Sequence, residues 1–191
     1  MKLYKHSVFV ILFLGVVFFS FGQTSENNEI WEVGVARKNI TPSFPVWMAG
    51  YANRTSPSEG KLHDLWAKAI MLKDARGNKS VLITMDLLGI PKDFSDALRQ
   101  KIEQKYGLDK SQIVLSCSHT HSGPVISRAL KYIYPMEARD WKQVDLYTAQ
   151  LETMLFELVG ESMNNMKPAR IYTKNGIARF QVNIYHRPEW S

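Results

Sequence analysis

The chain has 191 residues, with 24 Lys and Arg against 18 Asp and Glu, a formal net charge of +6. At 45% hydrophobic and 22% charged it is too apolar to be a disordered chain, and it is long enough for one domain with its own core. Basic residues are scattered (Lys68, Lys73, Lys79, Arg99, Lys101, Lys105) rather than clustered with aromatics, which argues against nucleic-acid binding.

The first residues form a separate unit. Met1 to Lys5 is short and basic, and the run from Val8 to Phe19 is strongly apolar. Ser20 and Gly22 supply small residues at the positions a signal peptidase reads. The apolar run is short for a membrane span of about 20 residues. Residues 1–22 therefore read as a secretory signal peptide, and the expected product is secreted or periplasmic. Cleavage removes Lys2 and Lys5 and no acid, so the net charge falls from +6 to +4. That mild excess leaves room for peripheral contact with an anionic membrane surface. Cys117 is the only cysteine, so no intramolecular disulfide forms. Its place at a strand end reads as core packing.

Beyond the polar stretch 23–29, Ile30 to Arg37 roughly alternates and predicts a strand. Thr41 to Pro45 breaks it. Trp47 to Tyr51 leads into a Ser-, Gly- and Pro-rich loop, Ala52 to Lys61. Leu65 to Leu72 and Val81 to Met85 predict two further strands, joined by a turn over Asp74 to Lys79. Pro91 to Tyr106 predicts a helix, with Phe94, Leu98, Ile102 and Tyr106 repeating at i+4 and Gly107 ending it. Ile113 to Cys117 predicts a buried strand. Residues 125–140 carry no clear pattern. Val144 to about Met163 predicts a second helix, its apolar stripe made by Tyr147, Leu151, Met154, Leu155 and Leu158. Asn175-Gly176 predicts a hairpin between strands at 170–172 and 177–182. The expected fold class is α/β: a mixed sheet with helices packed on it.

Ser116 to Pro124 is the most informative stretch. It places His119 and His121 two residues apart, just past a strand end, among small and hydroxylic residues. Neutral imidazole is a common zinc ligand, and loops leaving strands are where α/β proteins place chemistry. Alone, the spacing fits either a metal site or two surface histidines. Asp86, closing the preceding strand, reads either as a strand-end residue or as a carboxylate orienting one of the imidazoles. His63-Asp64 reads as a solvated loop or as a pair beside the site. Trp47, Met48 and Tyr51 read as ordinary packing or as the lining of an apolar path.

Four blocks in order carry a family likeness. They are Val33 to Ala36 with Ile40-Thr41-Pro42; Trp47 to Tyr51; Ala67 to Ile70 with Val81 to Asp86; and Val114 to Pro124. Over about residues 31–183 the chain resembles the N-terminal part of the neutral (non-lysosomal) ceramidase family. The family's Thr-His-Thr-His-Ser-Gly-Pro signature appears here with Ser118 in place of its first threonine. The Asn-Arg pair that usually follows is here Asn183-Ile184.

The resemblance implies a zinc amidohydrolase acting on ceramide or a related N-acylated lipid. It implies Zn2+ as cofactor, His119 as a metal ligand and His121 as an active-site acid/base or supporting residue. It also implies further ligands, and a serine, at positions well downstream. On this reading residues 23–191 are the N-terminal portion of a larger catalytic domain, truncated at the C-terminus. The rival expectations are a non-catalytic secreted metal- or lipid-binding remnant, and a zinc hydrolase of the same fold with another amide or ester substrate.

Overall fold

The alternating segments become a five-stranded mixed sheet. A computed structural model describes residues 31–178. Three long strands come first in the chain: β1 (Trp31–Asn39), β2 (Trp66–Lys73) and β3 (Lys79–Met85), paired antiparallel in sequence order. Helix α1 (Lys92–Tyr106) then crosses over, and β4 (Ile113–Cys117) returns parallel to β3. Helix α2 (Ala138–Asn164) leads to the short β5 (Lys167–Ala169), which pairs antiparallel with the free side of β1. The order across the sheet is β4-β3-β2-β1-β5. The mixed α/β arrangement is the one expected.

Both helices lie on one face. Ala67, Ala69, Met71, Val81, Ile83, Met85 and Ile113 point from the strands into a common core. Phe94, Leu98 and Ile102 of α1 meet them, as do Tyr147, Leu151, Leu155 and Leu158 of α2. The i+4 stripes of both helices are thus packing stripes, each large side chain contributing roughly 1.5–3 kcal/mol by burial. Gly34 allows α2 to approach closely: a Cβ there would fall 1.8 Å from the carbonyl oxygen of Ser162.

The opposite face carries its own apolar row. Val35 pairs with Ile70, Ile70 with Leu82, and Leu82 with Val114, so four aliphatics line up across four strands. Val35, Ile70 and Val114 are exposed and Leu82 is half-buried.

Two expectations need correction. The second helix starts at Ala138, six residues before Val144. Its first turn is polar and is held by a capping box between Glu137 and Asp140, which apolar periodicity does not report. The hairpin around Asn175-Gly176 is not formed within the described residues, where 170–178 carry no strand. The last strand among the described residues is Lys167-Pro168-Ala169. Its proline sits on an edge strand, where a missing N–H is tolerated. The remainder of the expected second hairpin strand, and residues 1–22, lie outside the described residues.

Candidate functional site

The end of β4 builds the histidine loop. The last β3–β4 register pair is Met85 with Cys117, and Ser118 N–H extends the pairing by donating to the Met85 carbonyl at 3.0 Å. His119 then turns the chain with φ +59°, the left-handed region that non-glycine residues seldom enter. Thr120 Oγ1 accepts the Ser122 N–H at 3.2 Å and tightens the next turn. Gly123 passes close to the end of β3; a Cβ there would lie 3.1 Å from the Asp86 carbonyl oxygen.

A second segment locks the loop from the other side. Met48 and Pro124 form an isolated antiparallel bridge. Ala49 N–H donates to the Gly123 carbonyl, and Val125 N–H to the Trp47 carbonyl, both at 2.8 Å. Trp47, Ala49, Val125, Tyr134 and Val144 bury a small second core beneath this ladder. Trp47 is therefore a packing residue, its ring 5.5 Å from that of Tyr134. Met48 faces an open cavity of about 680 Å3 walled by the 53–62 loop.

Gly50 is where this segment meets His121. It has φ +121°, and a Cβ on it would come within 2.6 Å of His121 Cβ and Cγ. The Gly50 N–H donates to Tyr134 Oη at 2.9 Å. Tyr51 is exposed and presents its ring edge-on to His121, centroids 5.1 Å apart.

The two imidazoles are neighbours, with ring centroids 5.2 Å apart and planes at 67°. His119 Nδ1 lies 2.8 Å from the Leu88 carbonyl oxygen. A carbonyl only accepts, so in the neutral ring Nδ1 carries the proton. Nε2 keeps its lone pair and is available to a metal ion. His119 is exposed and His121 half-buried, so the pair is open to a ligand. Among the described residues no further His, Cys, Asp or Glu joins them in a cluster that could hold a metal ion.

Other residues take different places. Asp86 does not orient either histidine through a carboxylate. Its Oδ2 accepts the Trp66 N–H at 2.9 Å, and the ring nitrogen of His119 is held by a backbone oxygen. Asp64 accepts from Thr41 Oγ1 at 3.3 Å and pairs with Lys61, whose ammonium is the first cause of its lowered pKa. His63 is exposed. Cys117 is half-buried against the main core, and burial pushes its thiol pKa up, so it is a poor thiolate. The structure adds residues that the motif did not point to: Leu88 through its carbonyl, Tyr134, and Arg54. Arg54 Nη2 donates to the His121 carbonyl at 2.9 Å. Backbone acceptors carry no sequence signal, and Arg54 sits in a loop whose composition reads only as a loop.

The fold is that of a solved enzyme structure. The neutral ceramidase from Pseudomonas aeruginosa superposes with a TM-score of 0.61 at 20% identity, covering 74% of this chain and 23% of that one. The family model described as "Neutral/alkaline non-lysosomal ceramidase, N-terminal" matches residues 31–184, and the chain belongs to that family. Neutral ceramidase A of Dictyostelium discoideum is 25% identical over 181 residues, 87% of this chain and 24% of its own length. Neutral ceramidase of Pseudomonas aeruginosa is 26% identical over 125 residues, 63% of this chain and 19% of its own. Neutral ceramidase 2 of Arabidopsis thaliana is 28% identical over 95 residues, 48% of this chain and 12% of its own. The chain thus spans a quarter or less of the length of these curated relatives.

Proposed function

We propose that this chain is the N-terminal part of a zinc amidohydrolase that cleaves the N-acyl amide bond of ceramide or a related lipid, releasing fatty acid and sphingoid base. The observation that carries the proposal is the bond from His119 Nδ1 to the Leu88 carbonyl, which leaves Nε2 free beside a second imidazole. Family membership supports the substrate class. His119 is the zinc ligand contributed by this region. His121 sits next to it with its backbone and ring both held, and acts as the residue that takes or returns a proton. Bound zinc would polarise the amide carbonyl and bring the pKa of a bound water to about 7. One imidazole is fewer than the three or four protein ligands a catalytic zinc site uses, and on this reading the others come from further along a family-length polypeptide. The protein acts outside the cytoplasm, after cleavage behind Gly22, at a lipid surface to which its mild positive charge is suited.

The test has two parts. The exported chain, residues 23–191, is assayed for bound zinc and for fatty-acid release from a fluorescent ceramide; weak zinc binding and no turnover are expected. In a family-length polypeptide containing this region, His119→Ala is expected to lose zinc and activity. His121→Ala is expected to keep zinc and lose turnover. Normal zinc content in the His119 variant overturns the assignment. Zinc binding without hydrolysis in the family-length protein would instead support a non-catalytic secreted metal-binding role.

A further inference from the structure

Arg54 touches the His121 unit in two ways at once. Its Nη2 donates to the His121 carbonyl at 2.9 Å, across 67 residues of sequence. Its guanidinium carbon lies 5.4 Å from the centroid of the Tyr51 ring. That same ring stands edge-on to the His121 imidazole at 71°, with centroids 5.1 Å apart. One cation therefore binds the backbone of His121 and, through Tyr51, braces its side chain. Gly50 closes the arrangement from below, with no room for a Cβ against His121.

We infer that Arg54 is a positioning residue, which together with Tyr51 sets the orientation of the His121 imidazole relative to His119. This rests on reading His121 as a working residue of the site. A guanidinium suits the task better than an ammonium. Its plane stacks on an aromatic ring while its edge donates a directed hydrogen bond. The Nε–H is buried and has no acceptor among the described residues. The side chain is held by the His121 carbonyl and the Tyr51 ring, and loss of either contact weakens its hold on the other. His121 lies between a left-handed residue at 119 and the Gly123–Val125 stretch tied to Trp47–Ala49, and the Arg54 bond fixes the carbonyl of His121 itself. A residue that must meet a reacting group needs placement to about half an ångström, and such placement comes from supporting contacts of this kind.

The experiment needs neither zinc nor turnover. The exported chain is labelled with isotopes in its histidine rings, and spectra are recorded at one fixed pH in the presence of EDTA. Arg54→Met, Arg54→Lys and Tyr51→Leu are compared, with signals assigned through His119→Ala and His121→Ala. The ring signal of His121 is expected to move by more than a linewidth in the Met and Leu variants, while that of His63 stays in place. Lys is expected to bring the signal part of the way back to the parent's position, because it supplies a donor and a cation without the guanidinium's directed fork. Amide exchange over residues 121–123 is expected to rise about five- to tenfold in Arg54→Met, the loss of one net hydrogen bond. An unmoved His121 signal in both Arg54→Met and Tyr51→Leu, with unchanged exchange, overturns the inference. Failure of the zinc assays alone leaves this outcome unaffected, so the two readings fail separately.

Discussion

Asp86 and Trp66 hold each other through two hydrogen bonds: Asp86 Oδ2 accepts the Trp66 N–H at 2.9 Å, and the Asp86 N–H donates to the Trp66 carbonyl at 3.0 Å. This closes the end of the β2–β3 pair at the point where the chain leaves for Leu87 and Leu88. The next two residues carry the backbone that Gly123 and His119 lean on. The carboxylate serves the site by fixing the rail beneath it.

Replacing Asp86 by Ala should therefore cost stability through an unpaired Trp66 N–H, about 1–3 kcal/mol. Asp86→Asn keeps an acceptor oxygen and should cost less. Urea unfolding of the three proteins checks this. Equal stability of the Ala variant and the parent would show that the bond contributes nothing.

Gly50→Ala should act on both fold and site. At φ +121° a side chain is strained by roughly 1–3 kcal/mol, and its Cβ collides with His121. For a chain of this length each kcal/mol lowers the melting temperature by about 2–4 °C. The expected result is a several-degree fall in thermal unfolding, accompanied by a displaced His121 ring signal. A variant that melts like the parent with an unmoved signal would contradict the packing described.

Tyr147 is fully buried in α2, and its hydroxyl donates to the Ile40 carbonyl at 2.6 Å. Burial pushes its phenol far above the ordinary value, so it remains a neutral donor at any working pH. Tyr147→Phe leaves the ring packed and removes the donor. The expected cost is about 1–3 kcal/mol, because a buried carbonyl loses its partner. Denaturant unfolding with an unchanged slope and a lower midpoint is the expected signature.

Asp74 gives the β2–β3 turn an acid-sensitive component. Its carboxylate accepts from Asn78 Nδ2, which is the largest cause of its lowered pKa, and from the backbone N–H groups of Asn78 and Arg76. A carboxylate lowered on folding stabilises the protein above its unfolded pKa, and that stability is lost as pH falls through the folded pKa. Asp74→Ala should therefore destabilise near neutrality and flatten the acid limb of the stability–pH curve. Parallel curves for parent and variant would rule the turn out as a contributor.

The strands and helices that pack apolar side chains in regular periods were legible. β4 falls on Ile113–Cys117 as expected, and α1 begins one residue after Pro91. Where polar groups decide the structure, periodicity is silent. The capping box that starts α2 at Ala138, and the proline-containing edge strand β5, lie in that class. The same division runs through the site. His119 and His121 stood out because side-chain chemistry is written in the sequence. The partner of His119 is a main-chain oxygen, and the Asp86 carboxylate is taken by a backbone N–H of the adjacent strand β2. Asn175-Gly176 carried a strong local turn signal, yet residues 170–178 form no strand.

The oxygen that holds His119 belongs to the peptide unit of Leu88, not to its side chain. No substitution at position 88 short of a backbone rearrangement can delete it. An apolar exchange that keeps the packing against the second core leaves the imidazole its tautomer. Residue 88 thus has two separable duties: its side chain packs against the small second core, and its main chain holds the ring. A survey of substitutions at 88 would therefore report on packing alone and miss the support that its carbonyl gives the ring.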